Sequence, residues 1–226
     1  MERLFFDEHQ WSTIEAAMSR IIPTDHQPGA KEARTVGFLD RYLYGIDYVY
    51  AKPDGSGFEE LSGKRAEAWQ RRIDILQRTY VEGVEELDRR SRKSFGEDFR
   101  QLSAEQQDRV LTDMEASAPG EDEEAMEEDQ ATAAWAPPEQ AEPSGPVMQQ
   151  TLTEVELDFF PLLVLHTRQG FYSDPIYGGN RDRAGWQVLG FPGPESLAEV
   201  HSGRYTTLPY FAEGDDNHRE GGSSGE

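Results

Sequence analysis

The chain has 226 residues, a length that suits one domain with irregular extensions. Its 44 acidic and 22 basic residues give a formal net charge of −22, which argues against binding to nucleic acid or to an anionic membrane surface. No stretch approaches the roughly 18 apolar residues of a membrane span, so no direct membrane insertion is expected. Cysteine is absent, which excludes disulfides, thiolate metal sites and a cysteine nucleophile.

The first 45 residues predict two helices joined by a turn. Asp7 and Gln10 form a capping-box pattern, and the apolar residues that follow recur at helical spacing until Pro23. A second amphipathic helix is expected from about Lys31.

The rest of the chain also indicates helices. The longest is expected over residues 64–93, and Ser103 is expected to cap the next one. A buried helix is predicted from near Thr153, with Pro161 kinking or restarting it. No period-two strand pattern persists, although residues 187–190 suit a short extended piece. The predicted fold class is therefore all-α, a helical domain with an irregular, aromatic and glycine-rich C-terminal arm.

The charge is concentrated in one quarter of the chain. Fourteen acidic residues and no basic residue lie between Val110 and Thr167. Such composition cannot bury enough apolar surface to offset its ordering entropy, so residues 117–147 are predicted to be a disordered insertion. It is either a solvated loop or an acidic contact for a basic partner.

The predicted organisation divides the chain into four parts. Residues 1–116 and 148–212 form one domain around the insertion 117–147, and residues 213–226 form a disordered tail.

Motifs that carry catalytic or cofactor chemistry are missing from the sequence. There is no glycine-rich phosphate fingerprint after a strand and no Gly-x-Ser-x-Gly elbow. The five histidines form no HxxxH or HxxE pair, so no metal site is signalled. His166, on the apolar helix, is interpreted as structural rather than as a proton carrier. We therefore predict no catalytic, cofactor-binding or metal residues in this chain.

The arm after the apolar helix carries the candidate binding residues. Gly170 is expected to end the helix, and the glycines that follow suit tight turns. Tyrosine and tryptophan are enriched at protein interfaces, so the arm either folds back on its own domain or lies on a partner chain. The predicted partner-binding residues are Phe171, Tyr172, Asp174, Pro175, Tyr177, Gly178, Gly179, Asn180 and Trp186.

Two segments carry a family resemblance. The arm, GFYSDPIYGGNRDRAGWQVLGFPG, and the N-terminal stretch WSTIEAAMSRIIPTDHQPGAKEARTVGFLDRYL resemble the gluconate 2-dehydrogenase subunit 3 family. The match covers roughly residues 5–45 and 155–193 well and the helices between them loosely. The family comprises small subunits that accompany flavin-dependent sugar and sugar-acid dehydrogenases.

The resemblance implies an accessory role. The small subunit holds no cofactor, while a large partner of the glucose–methanol–choline type holds FAD and abstracts hydride; a cytochrome can follow as electron acceptor. The chain starts without a twin-arginine signal, which favours the cytoplasm unless another chain brings the export signal. The alternatives are a small stand-alone enzyme that uses carboxylates and a scaffold protein without a flavoprotein partner.

Overall fold

A computed structural model describes residues 3–117 and 154–205. Within these ranges the chain forms helices, with one isolated β-bridge between Ala51 and Phe58. The predicted all-α class is confirmed. The α-helices are α1 (Glu8–Ile21), α2 (Thr35–Tyr44), α3 (Gly63–Phe95), α4 (Ala104–Glu115), α5 (Phe159–Tyr172), α6 (Ala184–Val188) and α7 (Leu197–His201). The predictions of a disordered insertion and tail concern residues that lie almost entirely outside the described ranges.

Helix α1 begins as its sequence indicates. The Asp7 carboxylate accepts a hydrogen bond from the Gln10 N–H at 2.7 Å, and the Gln10 side chain accepts one from the Asp7 N–H at 3.1 Å. These reciprocal bonds satisfy donors that the first helical turn leaves unpaired. Helix α2 begins at Thr35 rather than near Lys31, because the intervening residues form a turn that ends in a left-handed Arg34.

Helix α3 matches its prediction to within two residues at each end. Its buried face includes Ile73, Leu76 and Tyr80, while the opposite faces are charged and exposed. Gly83 lies on the same buried face, and a side chain there would collide with the ring of Phe159. Glycine therefore lets α5 pack closely against the long helix.

Helix α5 lies among the other long helices and differs from its prediction at both ends. A helical turn at residues 154–156 breaks before Asp158, and α5 restarts with Pro161 in its first turn, where proline is tolerated. The prediction that Gly170 ends this helix is wrong, because α5 continues to Tyr172. Gly170 is instead needed for close packing, since a Cβ there would lie 2.8 Å from the Thr35 methyl group.

The C-terminal arm folds back on its own domain through Asn180. The Asn180 backbone N–H donates to the Gly170 carbonyl at 2.9 Å, and the Asn180 side-chain amide donates to the Ser173 carbonyl at 2.8 Å. Its side-chain oxygen accepts from the Gly185 N–H at 2.9 Å. The fully buried Asn180 adopts a left-handed φ of 46°, a conformation that asparagine tolerates better than most residues.

Within the arm, the expectation of a short extended piece at residues 187–190 is wrong. Residues 184–188 form α6, and the Trp186 indole donates to the Tyr172 carbonyl at 2.7 Å. The apolar residues of α6 pack on α5. From sequence alone, such a short apolar run does not show whether it forms a helix or a strand.

Substitution of Gly179 by alanine tests how tightly the arm is docked. The new Cβ would lie 2.1 Å from the Gly170 carbonyl oxygen, so the arm must shift. We expect a loss of about 1–3 kcal/mol in the free energy of unfolding, the usual cost of overpacking, measured by urea denaturation. The matched control is Gly45→Ala, where φ is extended at 164° and no atom lies within 4 Å. Equal stability of the two variants would contradict this docking.

Candidate functional site

An open pocket of about 440 Å³ lies between α2, α3 and the end of α5. Its volume is within the range of small-molecule sites, about 300–1,000 Å³. Most of its wall is aromatic, and the wall comes from chain segments far apart in sequence. The lining residues are Phe38, Tyr42, Tyr48, Val49, Tyr50, Trp69, Arg72, Glu154, Gln169, Tyr172, Ser173 and Tyr177.

The aromatic wall is held in place by ring contacts. Trp69 meets Tyr50 edge-on with ring centroids 5.6 Å apart, and Tyr42 edge-on at 6.5 Å. The guanidinium of Arg72 lies 4.7 Å from the Trp69 ring centroid, and that of Arg65 lies 4.2 Å from the Tyr50 centroid. Such cation–π contacts help to fix the two rings in position.

A buried ion pair forms the floor of the pocket. The side chains of Arg72 and Glu154 are 7% and 5% exposed, and the Arg72 guanidinium contacts one Glu154 oxygen. The Tyr42 hydroxyl donates to the same oxygen at 3.4 Å. Two opposite charges in the interior are tolerated only with good pairing and further hydrogen bonds, and this floor provides both.

Behind the floor, His166 joins the pair to Tyr80. Its Nε2 contacts the second oxygen of Glu154, and its Nδ1 lies 2.7 Å from the Tyr80 hydroxyl. A neutral imidazole fits this arrangement, with Nε2–H donating to Glu154 and Nδ1 accepting from Tyr80. The network thus connects α3, α5 and the turn that precedes α5.

Burial governs the protonation of this network. It lowers the pKa of His166 from 6.5 to about 3, with the nearby positive charge of Arg72 as the second cause. Burial also raises the pKa of Tyr80 well above 10, so its hydroxyl stays protonated. Desolvation lowers the pKa of Arg72, although an arginine remains charged.

This arrangement does not make His166 a catalytic base. The imidazole is fully buried and is not among the residues that line the pocket. A general base must come within hydrogen-bond reach of the proton that it removes. The observed position agrees with the structural role expected for His166.

Sequence reasoning missed the floor of the pocket. Glu154 is one of the fourteen acidic residues between Val110 and Thr167, and no sequence expectation names Arg72. One signal was present: Arg72 is three residues after Trp69 and four before Leu76, so it shares their face of α3. Its partner could not be found from local spacing, because the pair spans more than 80 residues.

The nine predicted partner-binding residues lie together in the arm, where four are buried, four are half-buried and one is exposed. Phe171, Gly179, Asn180 and Trp186 are buried; Asp174, Pro175, Tyr177 and Gly178 are half-buried. Tyr172, which is 39% exposed at the mouth of the pocket, is the most accessible. Their role in partner binding stays a prediction.

A second polar cluster joins α1 to α3 on another part of the surface. Ligand atoms of His9, Asp88 and Asp98 lie within 4.8 Å of one another, a spacing that can hold a metal ion. Asp88 also accepts a hydrogen bond from the Phe99 N–H at 3.0 Å, and Asp98 accepts one from Arg92 at 2.5 Å. Arg92 lies 2.5 Å from Asp98 and 3.9 Å from Asp88, so we interpret the cluster as an ion-pair network between helices.

These features define an all-α domain with an aromatic pocket above a buried ion pair. No helix in the described residues combines the length and apolar character needed to cross a membrane. A family model described as gluconate 2-dehydrogenase subunit 3 matches residues 8–193. The chain belongs to this family, which confirms the resemblance seen in the sequence. Comparisons with curated proteins and with solved structures give no match.

Replacing Glu154 by glutamine tests the ion pair. The change leaves Arg72 buried without its counter-charge, and we expect a loss of about 3–5 kcal/mol in unfolding free energy, measured by urea denaturation. The control Glu156→Gln removes an exposed carboxylate two residues away and should change stability by less than about 0.5 kcal/mol. The double variant Arg72→Met with Glu154→Gln should recover part of the loss. Similar stabilities for both single variants would contradict the pairing.

The depressed pKa of His166 predicts a pH dependence of stability. Between pH 6.5 and about 3 the unfolded chain binds a proton at His166 that the folded chain does not. Stability from this group is therefore complete above pH 6.5 and falls with pH, by about 2 kcal/mol at pH 5.

The measurement compares unfolding free energies at pH 7.5 and pH 5 for the native chain and His166→Gln. The stability advantage of the native chain should shrink by about 2 kcal/mol at the lower pH. Parallel profiles for the native chain and His166→Gln would contradict a lowered pKa of His166 in the folded chain.

Proposed function

We propose that this chain is a non-catalytic accessory subunit that binds a large FAD-dependent dehydrogenase of the glucose–methanol–choline type and stabilises its fold. The observation that carries the proposal is the family match over residues 8–193. In this proposal the large partner holds FAD, and its pocket selects a sugar, sugar acid or glycoside. The small subunit stabilises the partner by mass action, because it binds the folded large chain and not the unfolded one.

The sequence supports this division of labour. It has no glycine-rich phosphate fingerprint, so the proposal places the nucleotide cofactor on the other chain. Among the described residues that line the pocket, Glu154 is the only carboxylate, and its contacts with Arg72 and His166 weaken the alternative of a small stand-alone enzyme that uses carboxylates. Electron transfer to a cytochrome and residence in the cytoplasm are further parts of the proposal that require their own tests.

The part of the arm around the exposed Tyr172 is the proposed contact surface. Tyrosine at an interface contributes a large contact area with few torsions to immobilise. Tyr172 is 39% exposed, while Trp186 and Phe171 hold the arm from within. The buried aromatic residues of the arm would then set the position of the exposed one.

The proposal is tested by isolating the tagged full-length chain from its native cells at native salt. Absorbance and mass spectrometry then identify what co-purifies. A flavin spectrum together with a dehydrogenase of the glucose–methanol–choline type would support the proposal. A colourless, solitary chain would contradict it and would direct attention to the scaffold alternative.

The variant Tyr172→Ala tests the proposed contact surface once the large chain is in hand. We expect association to weaken about tenfold, since an interface tyrosine is commonly worth 1–2 kcal/mol. Tyr44→Ala is the matched control, because Tyr44 is 50% exposed but does not line the pocket. Both variants should keep the helical circular dichroism of the native chain. Equal affinities for the two variants would move the interface away from the arm.

A further inference from the structure

We propose that the aromatic pocket is a binding site for a neutral carbohydrate ring. The proposal goes beyond the accessory role, because the site lies within this chain and needs no partner. It depends on three features of the pocket: its net charge, its unpartnered Ser173 hydroxyl and its aromatic lining.

The charge balance of the pocket selects against ionic ligands. Among the described residues that line it, Arg72 and Glu154 carry the only charges, and they neutralise each other. An anionic ligand would meet the Glu154 carboxylate within a chain of net charge −22. A cationic ligand would meet the buried Arg72 guanidinium. A neutral ligand avoids both repulsions.

Polar atoms in the wall select against a purely apolar ligand. The Ser173 hydroxyl is buried and has no hydrogen-bond partner among the described residues. Gln169 lines the same wall, and the Glu154 oxygens lie at the floor. A flat apolar ligand would leave the buried Ser173 hydroxyl without a hydrogen-bond partner, which is unfavourable. A hydroxyl group of a ligand would satisfy it.

The aromatic faces favour a ligand that is a ring with C–H bonds on one side. Tyr50 and Trp69 line the pocket with their rings nearly perpendicular, and Tyr172 stands at the mouth. An aromatic face carries negative charge density and attracts the weakly positive C–H groups of a sugar ring. The hydroxyl groups around that ring can meet the phenol groups, Gln169 and Ser173. A pyranose combines these two properties in one molecule.

The test is a calorimetric titration of the full-length chain at constant ionic strength. The probes are D-glucose, maltose and cellobiose as neutral sugars, D-glucuronate as the same ring with a carboxylate, and menadione as a flat apolar compound. We expect saturable binding of at least one neutral sugar and several-fold weaker binding of D-glucuronate. Absence of saturable binding by all three neutral sugars would overturn the proposal. So would tighter binding of D-glucuronate or of menadione.

Variants locate the binding in the pocket. Trp69→Ala should weaken sugar binding about three- to ten-fold, and Trp69→Phe should restore most of it, because a ring face returns. If Trp69→Ala fails to fold, Tyr50→Ala is the second test. Trp11→Phe, on α1 and away from the pocket, is the control and should leave the affinity unchanged. An unchanged affinity in all pocket variants would place the sugar elsewhere and overturn the assignment.

Discussion

The buried contact between Arg72 and Glu154 is the interaction on which the pocket side of the domain depends. Burying two charges is unfavourable unless each finds a close partner, and here the two side chains satisfy each other. His166 and Tyr42 occupy further positions around the carboxylate. Helix α3, helix α5 and the turn that precedes α5 are therefore joined by one buried polar network. The same ion pair forms the floor of the aromatic pocket, and its two opposite charges cancel.

Local sequence signals predicted the helical part well. The caps at Asp7 and Ser103 depend on residues three positions apart, and the apolar face of α3 depends on spacings of three and four. Such signals are contained within one helix and can be read without knowing the fold. The resemblance in two segments was likewise sufficient for the family, which the family model confirms.

The sequence was least informative where structure depends on contacts between distant segments. From sequence alone, a glycine at position 170 suggests the end of a helix. In the structure, its missing side chain leaves room for Thr35 and Phe38 to pack against the helix. Glu154 belongs to an acidic run of the sequence, but in the structure it lies in the interior beside α3. In both cases the deciding neighbour is far along the chain, and residue type alone does not reveal it. For the arm, the sequence left open whether it folds back on its own domain or lies on a partner chain, because its long-range contacts decide this.

The long helix also holds both ends of the acidic stretch. Arg90 donates to the Ser117 hydroxyl at 3.2 Å, and Arg72 holds Glu154 where the described chain resumes. The two arginines are 18 residues apart on one rigid rod, a separation of about 27 Å. Both points are therefore fixed to the same helix, and any movement of α3 relative to the other helices would carry the two points together.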